Sequence, residues 1–227
     1  MPFPDLAERM SEVRERIDAA VTRGGHGQAV RVVAVTKGHG PEAIDAAFRV
    51  GLEDVGENRV QEALQKMANV TAQIRWHLIG HVQRNKIKWL QHFQLVHSLD
   101  SPRLADAVDA YGASRGHPVD SLVQVNIVGE ETKGGYLPSD MDREAERLAA
   151  MRGIRVLGAM TMAPFDADED TLRRVFAGAR EVRGVLRRAG HPATELSMGM
   201  SNDFEVAVEE GATLVRLGTI LFGARAA

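Results

Sequence analysis

The stretch RVVAVTKGHG, residues 31–40, places a lysine close behind a short run of apolar residues. Residues 32–35 predict a buried strand, because β-branched side chains favour strands and the glycines and proline that follow end the run. Lys37 then has two interpretations. Its side chain reaches water at the rim of the fold, or its amine is desolvated and acts as a nucleophile.

Seven further strand-like runs follow, and helical patterns separate them. Strand followed by helix, many times over, predicts parallel strands joined by right-handed crossovers. Eight such strands in 227 residues predict an α/β fold, a TIM-like (β/α)8 barrel, in one domain spanning residues 1–227. The seven runs are LEDVG (52–56), IRWHLIG (74–80), FQLVHSL (93–99), SLVQVNI (121–127), GIRVLGAM (153–160), TELSM (194–198) and TLVRLG (213–218).

The two ends of the chain are predicted to meet. The last strand is followed only by TILFGARAA, which is too short for a full outer helix. Near the other end, Leu6, Met10, Val13, Ile17 and Val21 form one apolar helical stripe. We therefore expect an N-terminal helix to cover the side of the last strand. The runner-up fold, a doubly wound open sheet, lacks its GxGxxG motif after the first strand.

Composition excludes several classes of protein. The chain has 28 basic and 31 acidic residues and a net charge of −3, so neither nucleic acid nor an anionic membrane is expected as a partner. It has no cysteine, which excludes disulfides and thiolate chemistry. No run is long and apolar enough to cross a bilayer, and charges interrupt the N-terminus where a signal peptide would be apolar. We expect a cytoplasmic monomer.

Three local spacings have structural interpretations. Asn58 and Asn202 are each followed three residues later by Gln or Glu, the spacing of a helix capping box. His77 and His81 are four residues apart, but they fall on a strand and its loop rather than on a helix. No metal site is expected.

The carboxyl ends of the strands form the active face of such a barrel, and Lys37 follows the first strand. Strand alternation groups Lys37 with Val33 and Val35, and groups Thr36 with the opposite side. The sequence does not say which side faces inward. If Lys37 does, desolvation favours its neutral amine, the form that condenses with an aldehyde.

A phosphate site is predicted where the last two strands end. In TLVRLGTILFG (213–223), Gly218 lets a ligand approach the backbone and the Thr219 hydroxyl suits a phosphate. SMGMSNDF (197–204) adds the Ser201 hydroxyl from the neighbouring loop, and barrels often bind phosphate after strands seven and eight. Gly218 and Thr219 alone would equally fit a tight turn, whereas together with Ser201 they favour phosphate binding.

A reactive lysine and a phosphate site on one face suggest pyridoxal 5′-phosphate, which carries an aldehyde and a phosphate. Arg216 would then lie against the pyridine nitrogen, where a guanidinium donates a hydrogen bond and cannot accept the proton. An ion pair or a phosphate contact is an open alternative for Arg216. A lysine-dependent aldolase acting on sugar phosphates needs the same two features and is a second function to consider.

Seven segments carry a family resemblance: VVAVTK (32–37), VGENRVQEA (55–63), WHLIGHVQRNK (76–86), VHSLDSPRLA (96–105), VQVNIVGEETKGG (123–135), GAMTMAP (158–164) and ELSMGMSNDFEVAVEEGATLVRLGTILFGAR (195–225). Together they resemble the pyridoxal phosphate homeostasis protein family, also called the YggS or PROSC family. The resemblance covers nearly the whole chain. This family is similar to the barrel domain of alanine racemase but lacks that enzyme's second domain.

The resemblance implies a set of cofactor-binding residues. Lys37 would carry pyridoxal 5′-phosphate as an internal aldimine, a serine, a glycine and a threonine would hold the phosphate, and an arginine would face the pyridine nitrogen. Asn58 would lie at the mouth near the ring, with or without capping a helix. The implied residues are Lys37, Asn58, Ser201, Arg216, Gly218 and Thr219.

The resemblance also implies a carrier or regulator of pyridoxal phosphate rather than a catalyst, with apo-enzymes that receive the cofactor as expected partners. A racemase needs a second acid or base on the opposite face of its substrate, and in racemases the missing domain supplies it. Tyr111 ends a helical pattern and is a poor substitute, whereas Tyr136 in a loop stays open. A racemase-like enzyme is therefore the alternative function.

Two loops carry further expectations. The chain reads GHGP after Lys37, where the family continues with a threonine and soon a proline. We expect this loop to be more flexible and His39 to be solvated. Lys133 in EETKGG is interpreted as a solvated loop residue, with a weaker hypothesis that it takes the aldehyde from Lys37 during hand-over.

Overall fold

Eight parallel strands close into a barrel, in the order in which they follow one another in the chain. The structure is a computed structural model that describes residues 2–130 and 134–223, so Lys133 lies outside the described residues. The first strand pairs with the last and closes the barrel. The strands are β1 (Arg31–Val35), β2 (Asp54–Glu57), β3 (Arg75–Leu78), β4 (Leu95–Leu99), β5 (Val119–Gln124), β6 (Ile154–Met160), β7 (Glu195–Ser197) and β8 (Leu214–Leu217).

Helices pack outside the barrel. They are α1 (Leu6–Gly24), α2 (Pro41–Arg49), α3 (Val60–Met67), α4 (Pro102–Arg115), α5 (Met141–Ala149), α6 (Glu169–Arg188), α7 (Phe204–Glu209) and α8 (Thr219–Phe222), with 3-10 helices at Arg84–His92 and Pro138–Asp140. The predicted TIM-like barrel is confirmed, and the open sheet is excluded. Helix α1 packs against α7 and α8, so it covers the side of β8 as predicted. None of the helices formed by the described residues is both long and apolar enough to cross a membrane.

Alternate residues of the strands build two apolar layers. Val33 belongs to a small cluster inside the barrel, whereas Val32 and Ala34 pack outward with the helices. Because side chains alternate along a strand, Thr36 continues the outward series, and its hydroxyl donates to Glu57 Oε1. Lys37 follows in a turn at the mouth formed by the carboxyl ends of the strands.

The two predicted capping boxes are wrong. Helix α3 begins at Val60 with Arg59 as its N-cap, α7 begins at Phe204 with an aspartate as its N-cap, and neither has a side-chain cap hydrogen bond. Asn58 instead lies in a bend directly after β2. Arg59 has an extended backbone (φ −126°, ψ 128°). The Asn58 backbone also packs directly against Gly80, the residue that ends the turn after β3.

We predict that Gly80→Ala destabilises the protein by about 1–3 kcal/mol, because the added Cβ would overlap the carbonyl of Asn58 and force the two loops apart. Gly184→Ala is the matched control. At Gly184, inside α6, a Cβ meets only the end of the Arg188 side chain at 3.5 Å. Alanine there should stabilise by about 0.5–1 kcal/mol. Urea unfolding measures both changes, and equal effects would contradict the close packing at Gly80.

Candidate functional site

The candidate site lies at the seam between β1 and β8. These strands pair in register, with Val33 opposite Arg216 and Ala34 opposite Leu217. Lys37 follows β1, and its side chain is half-buried. Arg216 belongs to β8 and, like Val33, points into the barrel. The structure therefore places Lys37 and Arg216 at the carboxyl ends of two paired strands.

The Arg216 guanidinium is held between the ends of two other strands. It is 5% exposed. Its Nη1 donates to the Ser197 carbonyl at 2.8 Å and to Ser197 Oγ at 2.6 Å, and its Nη2 donates to the Thr161 carbonyl at 2.9 Å. Burial lowers the pKa of Arg216 to about 10, and the nearby Asp203 carboxylate acts in the opposite direction. At neutral pH a fixed positive charge stands below the mouth.

Ser201, Gly218 and Thr219 also come together. Ser201 Oγ accepts a hydrogen bond from the backbone N–H of Ile220 at 3.3 Å, which joins the loop after β7 to α8. Gly218 precedes Thr219 at the start of that helix. A Cβ at Gly218 would meet Val35 only at ordinary contact distances of 3.5 Å or more. Packing therefore does not demand a glycine at this position, and the glycine leaves the backbone open to an approaching group.

Asn58 lies at the end of β2, half-buried, on the same side of the barrel. The structure thus places all six predicted residues in the loops and strand ends of one face, and a hydrogen bond joins the Ser201 loop to the helix that begins at Thr219.

A buried ion cluster holds the backbone on both sides of Lys37. Lys66 of α3 donates to the Thr36 carbonyl at 2.8 Å and to Glu57 Oε1 at 2.6 Å. Glu62 accepts from Lys66 at 2.8 Å and from the backbone N–H of the residue after Lys37 at 2.6 Å. Both peptide groups of Lys37 are therefore fixed from the outer layer. We call Thr36, Glu57, Glu62 and Lys66 the lysine clamp.

The two carboxylates of the lysine clamp differ in environment. The side chains of Glu57 and Lys66 are 0% and 6% exposed. Burial raises the pKa of Glu57, although hydrogen bonds from Lys66 and Thr36 act against it. Burial also acts to raise the pKa of Glu62, but its hydrogen bonds outweigh that effect and the pKa is lowered. Glu57 is consequently the carboxylate whose negative charge depends most on stabilisation by Lys66.

His39 is not the solvated residue that the sequence suggested. Its ring is half-buried and lies 5.6 Å from the Phe3 ring and 5.5 Å from the Phe222 ring, measured between centroids. The two phenylalanine rings are themselves 5.3 Å apart. The expectation was wrong because aromatic packing from both ends of the chain covers this loop.

The side chains of both tyrosines pack outside the barrel. Tyr136 is 5% exposed in the outer apolar layer, where burial raises the pKa of its hydroxyl. Tyr111 of α4 donates to the Lys88 carbonyl at 2.9 Å on the outside of the barrel. Within residues 2–130 and 134–223, no group of three or more His, Asp or Glu side chains could hold a metal ion.

The family model for the alanine racemase N-terminal domain matches residues 9–226 of the chain. The fold and the lysine after its first strand thus define a barrel of the alanine racemase class. The alanine racemase of Corynebacterium glutamicum superposes with a TM-score of 0.76 at 15% identity, covering 100% of this chain and 63% of the racemase. At this identity the likeness concerns the fold alone.

Closer relatives define a narrower group. The pyridoxal phosphate homeostasis protein of Aquifex aeolicus (strain VF5) is 43% identical in an alignment of 225 positions that covers 97% of this chain and 99% of the relative. That of Escherichia coli (strain K12) is 35% identical in an alignment of 232 positions that covers 97% of each chain. The chain belongs to the pyridoxal phosphate homeostasis protein family.

One relative has a solved structure with bound pyridoxal phosphate. PipY from Synechococcus elongatus PCC7942 is known with and without pyridoxal phosphate. The two structures match this chain with TM-scores of 0.84 and 0.86 at 34% and 35% identity. Each match covers 96% of this chain and 100% of PipY.

We predict that Lys66→Met destabilises the protein by about 3–5 kcal/mol at pH 7, because Glu57 is left as a buried charge without its partner. The double variant Lys66→Met with Glu57→Gln should recover a large part of that loss. Urea unfolding of both variants measures the difference.

The destabilisation should also depend on pH. The pKa of Glu57 is raised, so the folded state binds this proton more tightly than the unfolded chain does. The penalty in Lys66→Met is therefore largest at neutral pH and shrinks as pH falls toward the ordinary glutamate value of about 4.3. A penalty that is constant with pH, or a double variant no more stable than Lys66→Met, would contradict the clamp.

Proposed function

We propose that this protein binds pyridoxal 5′-phosphate at the carboxyl-end mouth of its barrel and serves the supply of that cofactor in the cytoplasm. The binding unit is a single domain spanning residues 1–227 and acts as a monomer. One observation carries the proposal. Lys37 follows β1 and Arg216 belongs to β8, the strand paired with β1, at the same mouth as the loop in which Ser201 bonds the backbone of α8.

The donor set fits the chemistry of the cofactor. When bound, pyridoxal phosphate supplies an aldehyde that condenses with an amine, a phosphate and a ring nitrogen. Lys37 offers the amine, and the lysine clamp fixes the backbone from which that side chain extends. Ser201, Gly218 and Thr219 offer hydroxyls and an open backbone for the phosphate. Arg216 offers N–H donors for the ring nitrogen, with Asn58 beside the ring.

A carrier is favoured over a racemase by what faces the site. Arg216 has only donors to offer, so a ring nitrogen against it stays unprotonated and the ring is a weak electron sink. Tyr136 and Tyr111, the two candidate acid–base residues, are packed on the outside of the barrel. We propose that apo-enzymes receive the cofactor. Substantial alanine racemisation by the loaded protein, lost in Lys37→Ala, would overturn the carrier function.

We predict that borohydride reduction of the protein with pyridoxal phosphate leaves one phosphopyridoxyl adduct, on Lys37. Peptide mass mapping identifies the residue, and Lys37→Ala should lack the adduct. Lys66→Arg, which keeps the charge of the clamp, is a control that should still be labelled on Lys37. Labelling scattered over surface lysines would refute the site and revive the aldolase alternative, which predicts trapping of a ketose phosphate.

We predict that Ser201→Ala with Thr219→Val lowers the affinity for pyridoxal phosphate by about 10- to 100-fold, because hydrogen bonds to a charged phosphate are lost. Pyridoxal, which has the aldehyde and the ring but no phosphate, is the matched control ligand. Its affinity should not change in this variant. Equal losses for both ligands would mean that the two hydroxyls act on the fold and not on the phosphate.

A further inference from the structure

A line of hydrogen-bonded side chains runs through the inside of the barrel and ends at Arg216. Asp54 Oδ1 lies 2.8 Å from His77 Nε2. His77 Nδ1 lies 2.9 Å from His97 Nε2, and His97 Nδ1 lies 2.8 Å from Ser197 Oγ. Ser197 Oγ in turn accepts from Arg216 Nη1 at 2.6 Å. We call these five residues the axial chain.

The axial chain climbs from the amino ends of the strands to the carboxyl ends. Asp54 is the first residue of β2. In the registers of neighbouring strands, His77 stands two residues above Asp54 and His97 two residues above His77. Ser197 is the last residue of β7. Five strands thus each contribute one residue to a path that crosses the barrel.

Burying these polar side chains inside the barrel costs free energy. Apolar side chains normally fill these layers, and each of the five residues is no more than 5% exposed. A buried polar group is tolerated only when its hydrogen bonds are made. Both imidazoles here use both of their ring nitrogens. A fully satisfied network of this kind defines one geometry more than it adds stability.

The direction of the hydrogen bonds in the axial chain follows from the protonation of Asp54 and His97. Burial acts to raise the pKa of Asp54, but hydrogen bonds from His77 and Arg75 outweigh it and hold the pKa below its usual range, so Asp54 is an acceptor. Burial, together with the positive charge of Arg216, holds the pKa of His97 well below its ordinary value. His97 is therefore neutral and carries a single N–H.

One arrangement uses every hydrogen of the path once. His77 donates from Nε2 to Asp54, His97 donates from Nε2 to His77, and the Ser197 hydroxyl donates to His97 Nδ1. The lone pairs of Ser197 Oγ are then left to accept from Arg216. If His97 carried its hydrogen on Nδ1 instead, the two lone pairs of Ser197 Oγ would accept from His97 and Arg216, and the Ser197 hydroxyl hydrogen would lose its acceptor in the path.

We propose that His77, His97 and Ser197 are positioning residues, which act through Arg216 and hold its guanidinium against the ring nitrogen of a bound pyridoxal phosphate. This inference rests on the proposed function. Asp54, at the opposite end of the barrel, selects the tautomer of His77, which selects that of His97. The tautomer of His97 then decides where the Ser197 hydroxyl hydrogen points, and so how the lone pairs of Ser197 Oγ are oriented toward Arg216.

The first experiment needs no cofactor. Long-range ¹H–¹⁵N NMR of the apo-protein should show His77 and His97 both protonated on Nε2, and slow rotation of the Arg216 guanidinium. Asp54→Asn offers an N–H₂ group to His77 and should move the hydrogens of both imidazoles to Nδ1. Glu53→Gln is the matched control, because Glu53 also binds Arg75, at 2.7 Å, but lies outside the axial chain.

The second experiment loads the same proteins with pyridoxal phosphate. Asp54→Asn and Ser197→Ala should each lower the affinity by about tenfold and shift the absorption band of the bound cofactor, while Lys37 is still labelled by borohydride. Glu53→Gln should match the native protein in both. Ser197→Ala removes one hydroxyl, keeps the Ser197 carbonyl that also binds Arg216, and so provides a mild second variant if Asp54→Asn does not fold.

The outcomes separate this inference from the proposed function. Native His97 protonated on Nδ1 would overturn the axial chain whether or not the cofactor binds. A tautomer change in Asp54→Asn with an unchanged absorption band and affinity would show that the chain does not position Arg216. Ser197→Ala with the affinity and spectrum of Glu53→Gln would show the same. Native axial-chain tautomers in a protein that binds no pyridoxal phosphate would refute the proposed function instead.

Discussion

The pairing of β1 with β8 is the constraint on which the rest of the structure depends. These two strands are separated by most of the chain, yet they run in continuous register from Arg31 opposite Leu214 to Ala34 opposite Leu217. Barrel closure places the residues that follow β1 beside those that follow β8. An open sheet with the same strands would leave Lys37 and Gly218 at different places, and no shared mouth would exist.

Two buried polar systems hold the two sides of this seam, one at β1 and one at β8. The lysine clamp lies between the barrel and the helices and fixes the backbone where the flexible side chain of Lys37 begins. The axial chain lies inside the barrel and fixes the head group where the side chain of Arg216 ends. Both systems bury charge that apolar residues of equal volume would replace with little loss of stability, so what they add is a defined geometry. Their carboxylates, Glu57 and Asp54, come from the same strand, β2.

The barrel could be predicted because its signals are local. Each strand is predicted by a short apolar run. Lys37 and the pair Gly218–Thr219 come soon after their strands in the sequence. The contacts that the sequence did not reveal depend on the register between distant strands. His77 and His97 are far apart in the sequence. Alternation in WHL and VHSL points both side chains inward, but only the pairing of β3 with β4 brings their nitrogens together. Glu62 and Lys66 have a helical spacing that is visible in the sequence. Nothing in the local sequence predicts that both side chains contact the backbone that follows β1.

The prediction at Asn58 failed for a related reason. A capping box is a local pattern, whereas the backbone there packs against Gly80 in the turn after the next strand. His39 also depends on distant partners, since Phe3 and Phe222 come from opposite ends of the chain. Sequence patterns therefore described the scaffold well, whereas the environment of each side chain required the closed barrel.

Barrel closure has a consequence for how the protein is made. Helix α1 and strand β1 leave the ribosome well before their partners α7, α8 and β8 are synthesised. Contacts of such high sequence separation make folding slow, and the edge of β1 that pairs with β8 stays open to wrong partners until β8 has been made. The seam beside Lys37 and Arg216 thus forms only after β8 has been synthesised. A chain cut short before β8 would carry the lysine without the site.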